Sequence, residues 1–276
     1  MRFLQCGDRT VDLSAPVVMG VVNVTPDSFS DGGRFLHADR AIEHGVRLAA
    51  EGAAILDIGG ESTRPGAADV PAEEELRRIL PVIEGLRRAT TAVISVDTSK
   101  PQVMLAASAA GAGLINDVRA LGEPGALEAA VSTGCAVCLM HMQGEPRTMQ
   151  MAPTYHDVVS EVRAFLNDRV RVVTAAGLPM ERVLLDPGFG FGKTLEHNLE
   201  LLRRLHELAM DELPILAGLS RKAMVGKLTG RSAGDRVYGS IALAVIAAQN
   251  GARVIRAHDV AATIDALNVV AAVAQR

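Results

Sequence analysis

Asp186 stands directly after the apolar run Val183 to Leu185, and a proline and three glycines follow within six residues. A carboxylate at the end of a buried strand is costly unless hydrogen-bond donors reach it. Glycines let a backbone approach a ligand closely and adopt positive φ angles. The stretch 183–194 therefore predicts a binding site in which a ligand lies against the main chain and carries N–H donors.

Seven other apolar, β-branched runs in this sequence also end on polar side chains. The eight runs cover 17–24, 53–60, 92–98, 113–118, 136–142, 183–188, 215–220 and 252–258. Their polar ends are Asn23, Asp57, Asp97, Asn116 with Asp117, His141, Asp186, Ser220 to Lys222, and Arg256 with His258. One terminal Asp or Asn can be a mere helix cap or turn former, but eight in eight runs favour a common site.

Stretches with helical periodicity lie between these runs and would position their ends. One has leucines from Leu195 to Leu208 with Thr194 as N-cap, and another spans 158–173. A third spans 76–83, and Pro81 should kink or break that helix.

This alternation predicts an α/β fold. Nearly continuous apolar strands, each followed by a helix, indicate a parallel sheet covered by helices. Eight such units in about 250 residues are typical of the (β/α)8 TIM barrel, in which all strand ends face one mouth. A doubly wound open sheet is the alternative. We expect residues 1–14 to form a short N-terminal hairpin with a turn at Gly7-Asp8, and residues 1–276 to form one domain.

The acidic and amide strand ends come first along the chain, and the basic ones come last. The loops after strands seven and eight of such barrels often bind phosphate, and Ser220 could cap a helix that attracts an anion. We therefore expect a phosphate or diphosphate near Arg221, Lys222, Arg256 and His258, with the donor-rich part of the ligand facing the carboxylates. The alternative is that Arg221 and Arg256 only pair with Asp117 or Asp57.

Three long loops are predicted on the same side of the molecule. They cover 25–37, 61–72 and 143–155 and are rich in Gly, Pro, Ser and Asp, a composition that suits binding loops or lids. Asn23, before the first loop, could add one oxygen ligand to a Mg²⁺ held mostly by water and phosphate. Arg64 in the second loop could meet the same anion.

Composition argues against several classes of protein. A net charge of −4 over 276 residues is unlike a nucleic-acid-binding surface. No apolar run reaches the length of about 20 residues that spans a bilayer, and residues 1–5 do not resemble a signal peptide. Three cysteines cannot all pair within the chain, so a reduced cytoplasm is expected.

Three apparent motifs do not hold. A phosphate-binding loop ending in Gly192-Lys193-Thr194 would need glycine at position 187, which is proline, and a dinucleotide fingerprint starting at Gly188 would need glycine at 193. Cys135 and Cys138 would point to opposite faces of a strand, so we expect ordinary buried cysteines and no zinc site.

Seven segments, in chain order, resemble dihydropteroate synthases over nearly the whole barrel. They are MGVVNVTPDSFSDGG (19–33), LDIGGESTRPGA (56–67), SVDTSK (95–100), INDV (115–118), LMHMQGEPRTMQ (139–150), LLDPGFGFGK (184–193) and GLSRK (218–222). The resemblance implies a transferase of folate biosynthesis, a target of sulfonamides, that condenses 4-aminobenzoate with (7,8-dihydropterin-6-yl)methyl diphosphate. A homodimer, formed through the last helices, is the family expectation.

The resemblance also implies roles for individual residues. The pterin would be held by Asp97, Asn116, Asp186 and Lys222, with Met140 and Gly218 in the pocket walls. Asn23 would bind Mg²⁺, and the diphosphate would lie among Thr63, Arg64, Arg256 and His258; Ser220 is a further candidate for substrate binding, as a possible helix cap. The aminobenzoate pocket would consist of Phe29, Asp31, Pro65 and Phe191. Many members have serine after the lysine of the SRK motif, where this chain has Ala223, so backbone N–H groups would have to replace that contact.

The implied mechanism needs no nucleophilic side chain. Diphosphate leaves, Asp97 and Asp186 stabilise the resulting positive charge on the pterin methylene, and the arylamine attacks; we name Asp97, Asp186 and Lys222 as the catalytic residues. Three alternatives remain at this point: a Schiff-base aldolase using Lys222, a pterin-dependent methyltransferase, and a pterin-binding paralogue without synthase turnover.

Overall fold

The computed structural model describes residues 2–24, 34–62, 69–144, 149, 152–210 and 212–274. Its strands are β1 (Phe3–Cys6), β2 (Arg9–Asp12), β3 (Val17–Asn23), β4 (Ile55–Gly59), β5 (Val93–Asp97), β6 (Leu114–Asp117), β7 (Ala136–Met140), β8 (Val183–Asp186), β9 (Ile215–Gly218) and β10 (Ala252–Ala257). Its helices are α1 (Arg34–Ala50), α2 (Ala72–Ala89), α3 (Pro101–Ala109), α4 (Ala126–Thr133), α5 (Val158–Ala175), α6 (Leu195–Arg203), α7 (Ala223–Thr229), α8 (Val237–Gln249) and α9 (Val260–Ala274).

The eight strands β3 to β10 form a closed barrel in which all neighbouring pairs are parallel and β10 pairs with β3. The (β/α)8 prediction is confirmed, and the open-sheet alternative is wrong. The register places polar strand ends side by side, since Asp97 is paired with Asn116, Met140 with Asp186, and Arg256 with Gly218. Closure therefore brings residues that are far apart in sequence to one rim.

The predicted N-terminal hairpin is confirmed as the antiparallel pair β1 and β2, with a turn at Gly7-Asp8. Its apolar side chains Leu4, Cys6, Val11 and Leu13 pack against the first residues of several barrel strands, including Ile55, Val93, Leu114 and Ala136. The hairpin thus closes the N-terminal end of the barrel and leaves the C-terminal end open.

The helices follow the predicted periodicity with two differences. Helix α2 continues through Pro81 from Ala72 to Ala89, so the predicted break there is wrong. A proline costs the helix one hydrogen bond, and the burial of Ile79, Val82, Ile83 and Leu86 against the core offsets it.

The second difference concerns the helix predicted from Leu195 to Leu208. Thr194 does cap it, since its side chain accepts a hydrogen bond from the His197 N–H at 3.2 Å. However, α6 ends at Arg203, and Leu205–Leu208 form a 3₁₀ turn. Leu205 and Leu208 are both buried, because side chains three residues apart share one face of a 3₁₀ helix. No helix among the described residues is long and apolar enough to cross a membrane.

Candidate active site

The predicted site residues that the structure describes lie at the C-terminal end of the barrel. Asn23, Asp97, Met140, Asp186 and Gly218 are the last residues of their strands, and Asn116 is the penultimate residue of β6. Ser220 and Lys222 follow β9, Arg256 lies in β10, His258 follows it, and Phe191 lies in the loop after β8. Phe29, Asp31, Thr63, Arg64 and Pro65 lie outside the described residues.

Asp57 is the centre of the polar network inside this mouth. Its fully buried carboxylate accepts hydrogen bonds from Ser95 Oγ at 2.7 Å, from Asn116 Nδ2 at 3.1 Å and from Arg256 Nε at 2.7 Å. The Arg256 guanidinium also donates from Nη2 to Asp97 Oδ2 at 3.2 Å. Arg256 therefore bridges two carboxylates, which is the pairing that the sequence left open as an alternative to anion binding.

Three acceptor oxygens at this mouth remain open to a ligand. Each of the three residues already has one partner. Asn116 Nδ2 donates to Asp57, Asp97 Oδ2 accepts from Arg256, and Asp186 Oδ1 accepts from the Gly188 N–H at 2.7 Å. Within the described part of the chain, no hydrogen bond reaches Asn116 Oδ1, Asp97 Oδ1 or Asp186 Oδ2. A flat ligand with several N–H donors along one edge would satisfy these oxygens together.

The two carboxyl groups with open oxygens, those of Asp97 and Asp186, are harder to ionise than ordinary aspartates. Burial, together with the neighbouring Asp57 carboxylate, raises the pKa of Asp97 to about 7 despite Arg256. Burial also raises the pKa of Asp186, although Lys222 and the Gly188 N–H oppose the shift. Donors from a ligand would stabilise both charged forms, because hydrogen bonds to a carboxylate favour its ionisation.

Lys222 stands between Asp186 and the loop that follows β8. Its Nζ donates to the Phe189 carbonyl oxygen and lies 4.7 Å from the centre of the Phe191 ring, a cation–π distance. Burial lowers the pKa of Lys222 to about 8, although Asp186 favours the charged form. A Cβ on Gly218 would lie 3.7 Å from this Nζ and 3.9 Å from Arg256 Cβ, so the glycine keeps space open between the two cations.

A second lysine, Lys193, is buried below the same loop, and the sequence analysis did not assign it a role. Its Nζ lies 3.0 Å from His141 Nδ1, 3.0 Å from the Gly188 carbonyl and 3.0 Å from the Phe191 carbonyl. Burial lowers the pKa of Lys193 to about 7 and, with the charge on Lys193, lowers that of His141 to about 3. His141 is therefore neutral and accepts from Lys193.

All eight strands end at the same rim, but three of the predicted polar side chains there are engaged in contacts within the fold. Asp117 accepts hydrogen bonds from Ser99 Oγ and the N–H groups of Arg119 and Leu121, which is the turn-forming role. His141 packs edge-on against Phe165 at 5.0 Å. Arg221 forms a bidentate pair with Asp259 at 2.5 and 3.1 Å.

Ser220 and His258 lie on the side of the mouth that carries most of the basic side chains. The N-cap residue of α7 is Lys222, so the prediction that Ser220 caps this helix is wrong. Instead, Ser220 Oγ lies 3.0 Å from His258 Nδ1 and accepts from the His258 backbone N–H at 3.2 Å. The two residues hold the ends of β9 and β10 together.

A cleft of about 440 Å³ opens beside this pair. It is lined by Val21, Asn23, Arg221, His258 and, from α1, Arg40, Glu43, His44 and Arg47, so that three arginines face one carboxylate. The excess of cations agrees with an anion at this end of the site. The α1 residues were missed from sequence, because nothing in a helix face reveals which strand end it flanks.

The lysine of the SVDTSK motif does not reach the mouth. Lys100 Nζ donates to Glu61 Oε2 at 2.5 Å and to Glu75 Oε2 at 2.6 Å. Glu61 also accepts from the Val70 N–H at 2.8 Å. This cluster ties the segments on either side of residues 63–68 to the start of α3.

Lys193 was the other functional candidate missed from sequence, whereas Asp57 was predicted there as a polar strand end and as a possible partner of Arg256. Each carried a signal, since Asp57 is a lone charge between Leu56 and Ile58 and Lys193 ends a run of glycines and phenylalanines. A buried charge in such a place requires partners. Its partners are supplied by other strands, so its role could not be read from its own segment.

Comparison with known proteins gives consistent relatives. A family model described as pterin binding enzyme matches residues 19–258. The dihydropteroate synthase of Escherichia coli (strain K12) is 53% identical over 263 residues, which are 95% of this chain and 93% of that protein.

Solved structures agree with these sequence matches. The Yersinia pestis dihydropteroate synthase in a sulfonamide drug complex has 52% identity and a TM-score of 0.95, covering 99% of this chain and 100% of that one. The Xanthomonas albilineans dihydropteroate synthase in complex with 7,8-dihydropteroate has 52% identity and a TM-score of 0.91, covering 99% of each chain.

Proposed function

This chain belongs to the dihydropteroate synthases of the pterin-binding enzyme family, and from that premise we propose how the mouth of its barrel receives the two substrates. The enzyme is a transferase of folate biosynthesis and a sulfonamide target. It condenses 4-aminobenzoate with (7,8-dihydropterin-6-yl)methyl diphosphate, giving 7,8-dihydropteroate and diphosphate. This function excludes the aldolase and methyltransferase alternatives.

The pterin ring binds to the open oxygens of Asp97, Asn116 and Asp186. Three acceptors at one rim suit the row of N–H donors along the edge of a pterin, and this arrangement is the observation that carries the proposal. Lys222 contacts the ring from the Asp186 side, and Met140 and Gly218 line the pocket.

The diphosphate lies toward the basic side of the mouth, beside His258 and Ser220. Arg256 is shared, because its guanidinium already bridges Asp57 and Asp97 and so turns fewer N–H groups toward an anion than the sequence alone suggested. We place Thr63 and Arg64 at the same anion, on the basis of the family resemblance.

Mg²⁺ is proposed as the metal at this end. Among the described residues, no cluster of His, Cys, Asp or Glu is arranged to hold a metal, and the Asn23 side chain forms no hydrogen bond. One free amide oxygen suits a Mg²⁺ that keeps most of its ligands from phosphate and water. When bound, the metal would neutralise charge on the departing diphosphate.

The aminobenzoate lies over Phe191 and Lys222, next to the pterin methylene. Support comes from the Phe191 ring, which is half-buried and held against the lysine ammonium. Phe29, Asp31 and Pro65 are proposed for the same pocket from the resemblance. Helix α7 begins at Ala223, so a backbone N–H takes the place of the serine found in many relatives.

The reaction then needs only positioning and charge stabilisation from this chain. The C–O bond between the methylene and the diphosphate breaks, and the electron pair leaves with the diphosphate. Positive charge spreads into the pterin, where Asp97 and Asp186 stabilise it. The aminobenzoate nitrogen, held close by Phe191, forms the new C–N bond and loses a proton.

A diphosphate-release assay tests the function and also addresses the paralogue alternative. We expect release only when both substrates are present, and loss of pterin binding together with turnover in Asp186→Ala. Asp168→Ala, which removes an exposed carboxylate on α5, is the matched control and should behave as wild type. Near-normal turnover in Asp186→Ala would contradict the assigned pterin site.

We further propose that the enzyme is a homodimer formed through α8 and α9. These adjacent helices expose Tyr238, Ile246, Val269 and Val273, and apolar side chains grouped in this way are typical of interfaces. Sedimentation should give about twice the chain mass of 29.0 kDa. Val269→Asp should yield monomers, whereas Val172→Asp on α5 should not; a dimer in both variants would contradict this interface.

A cytoplasmic location is proposed on chemical grounds. Cys6, Cys135 and Cys138 are free and buried, as is usual in a reducing compartment. Cell fractionation tests it, and recovery of the enzyme outside the cytoplasm would contradict it.

A further inference from the structure

The segment from Gly188 to Gly192 follows the site carboxylate Asp186 and contains two phenylalanines, Phe189 in the core and the half-buried Phe191. It lies directly against the chain that follows β7. A Cβ at Gly188 would be 1.9 Å from the His141 carbonyl oxygen, and one at Gly192 would be 2.3 Å from the Gln143 carbonyl oxygen. We call residues 188–192 the phenylalanine loop.

Most carbonyl groups of the phenylalanine loop have identified donors. Gly188 and Phe191 carbonyls both accept from Lys193 Nζ, the Phe189 carbonyl accepts from Lys222 Nζ, and the Gly192 carbonyl accepts from Tyr155 Oη at 2.9 Å. On the other side, the Gly190 N–H donates to Asn198 Oδ1 at 2.7 Å. Charged donors make the stronger of these bonds, so two lysines largely determine the loop's shape.

Of these two lysines, Lys193 points away from the mouth. Its side chain is only 3% exposed, and its ammonium is enclosed by the loop carbonyls, the His141 ring and the His141 carbonyl at 3.3 Å. His141 is itself fixed by edge-on packing on Phe165. Lys193 therefore joins the phenylalanine loop to the end of β7 and contacts neither the open oxygens nor the cleft.

We propose that Lys193 is a positioning residue for the aminobenzoate step, because its ammonium holds the phenylalanine loop in the shape that sets the Phe191 ring against Lys222. This inference rests on the proposed aminobenzoate pocket. The pterin-binding oxygens belong to strand ends on β5, β6 and β8. The loop reaches only one of these residues, through the Gly188 N–H that donates to Asp186 Oδ1 at 2.7 Å, and the open oxygens of Asp97 and Asn116 have no contact with it. Loss of the ammonium should therefore affect one substrate much more than the other.

Lys193→Met tests the inference, since methionine has a similar length and leaves the pocket without its charge. We expect KM for 4-aminobenzoate to rise about tenfold or more, the scale of one lost charge-assisted hydrogen bond. The dissociation constant of the pterin diphosphate should change by less than about threefold. Lys227→Met, which removes an exposed lysine on α7, is the control and should change neither value. Equal changes for both substrates, or no change, would overturn the inference.

A double-mutant cycle with Phe191→Leu identifies the route of the effect. If Lys193 acts through the Phe191 ring, the double variant should have nearly the same KM for aminobenzoate as Phe191→Leu alone. If the KM increases of the two single variants multiply in the double variant, Lys193 acts independently of the Phe191 ring, and the inference is overturned. An unchanged KM in Phe191→Leu alone would instead contradict the proposed pocket, and the inference with it.

Tyr155→Phe replaces Lys193→Met if circular dichroism shows that the lysine variant does not fold. It removes the hydrogen bond to the Gly192 carbonyl at the other end of the loop. The same selective rise in the aminobenzoate KM, smaller in size, and the same coupling to Phe191→Leu are expected. A rise shared equally by both substrates, or no rise, would overturn the inference.

Discussion

Asp57 shows how a single buried carboxylate can organise a site without being a ligand itself. It accepts hydrogen bonds from three side chains on three other strands, and one of them, Asn116, thereby keeps its amide oxygen open for the proposed pterin. A fully buried ion of this kind is tolerated only while its partners stay in place. Asp57 therefore fixes the orientation of the Asn116 and Arg256 side chains.

Replacement of Asp57 by asparagine should lower stability strongly. We expect about 3–5 kcal/mol less free energy of unfolding, because the buried Arg256 would lose its main counter-charge. Urea denaturation measures this change. Asp259→Asn breaks the more exposed pair with Arg221 and should cost about 1 kcal/mol or less. Similar losses in the two variants would contradict the central role of Asp57.

The pH dependence of the reaction should follow Asp97 and Lys222. Asp97, with a pKa of about 7, must lose its proton to accept from the pterin, so kcat/KM for the pterin diphosphate should fall about tenfold per pH unit below 7. Lys222, with a pKa of about 8, must keep its proton, so activity should fall again above pH 8. The result is a narrow optimum between these values.

A variant separates the two limbs of this profile. In Lys222→Arg the side chain stays charged at all accessible pH values, so the alkaline limb should disappear while the acidic limb remains. An unchanged alkaline limb would mean that a group other than Lys222 controls it.

At the level of elements, the junction between β8 and the phenylalanine loop depends on a close contact between its backbone and the backbone that follows β7. Gly188 has φ of +67° and lies against the His141 carbonyl, where no side chain fits. Because β7 and β8 are neighbours in the barrel, this contact sets the position of the phenylalanine loop relative to the site. The glycine pattern correctly indicated positive φ and a close approach, but the prediction assigned that approach to a ligand, whereas at Gly188 it is made by the His141 carbonyl.

Gly188→Ala should therefore be far more harmful than an alanine at another positive-φ glycine. We expect a loss of at least about 3 kcal/mol, from backbone strain together with the clash. Gly177→Ala is the matched control, since Gly177 has φ of +99° but nothing within 4 Å of an added Cβ, and about 1–2 kcal/mol is expected. Thermal unfolding of both variants decides the matter, and equal losses would show that the contact with His141 is unimportant.

In the molecule as a whole, the N-terminal end of the barrel contributes to stability, and the C-terminal end carries the candidate active site. The hairpin of β1 and β2 covers the N-terminal end with buried apolar side chains, while the described site residues lie at the C-terminal end. Changes in the barrel core should therefore affect both stability and activity, whereas changes in the hairpin should affect stability alone.

Truncation within the hairpin tests this separation. Leu4→Ala removes a fully buried side chain and should cost about 2–5 kcal/mol, with KM for both substrates unchanged within about twofold. Phe3→Ala, at a half-exposed neighbour on the same strand, should cost about 1 kcal/mol or less. A change in either KM in the Leu4 variant would show that the two ends are coupled.

The (β/α)8 barrel, the hairpin and the rim that carries the candidate site could all be predicted from the amino-acid sequence. Periodicity sets each strand and helix locally, and in a parallel barrel every strand must deliver its last residue to the same rim. The identity of the chemistry was also legible, because the segments resembling dihydropteroate synthases lie at those strand ends.

Only the tertiary structure decided which polar ends cooperate and which serve the fold. Asp117 and Asp97 look alike in sequence, yet one holds a turn and the other faces the site. Arg256 and Lys193 find their partners on strands or loops far away in the chain. A buried charge is defined by the groups that surround it, and those groups are brought together only when the barrel closes.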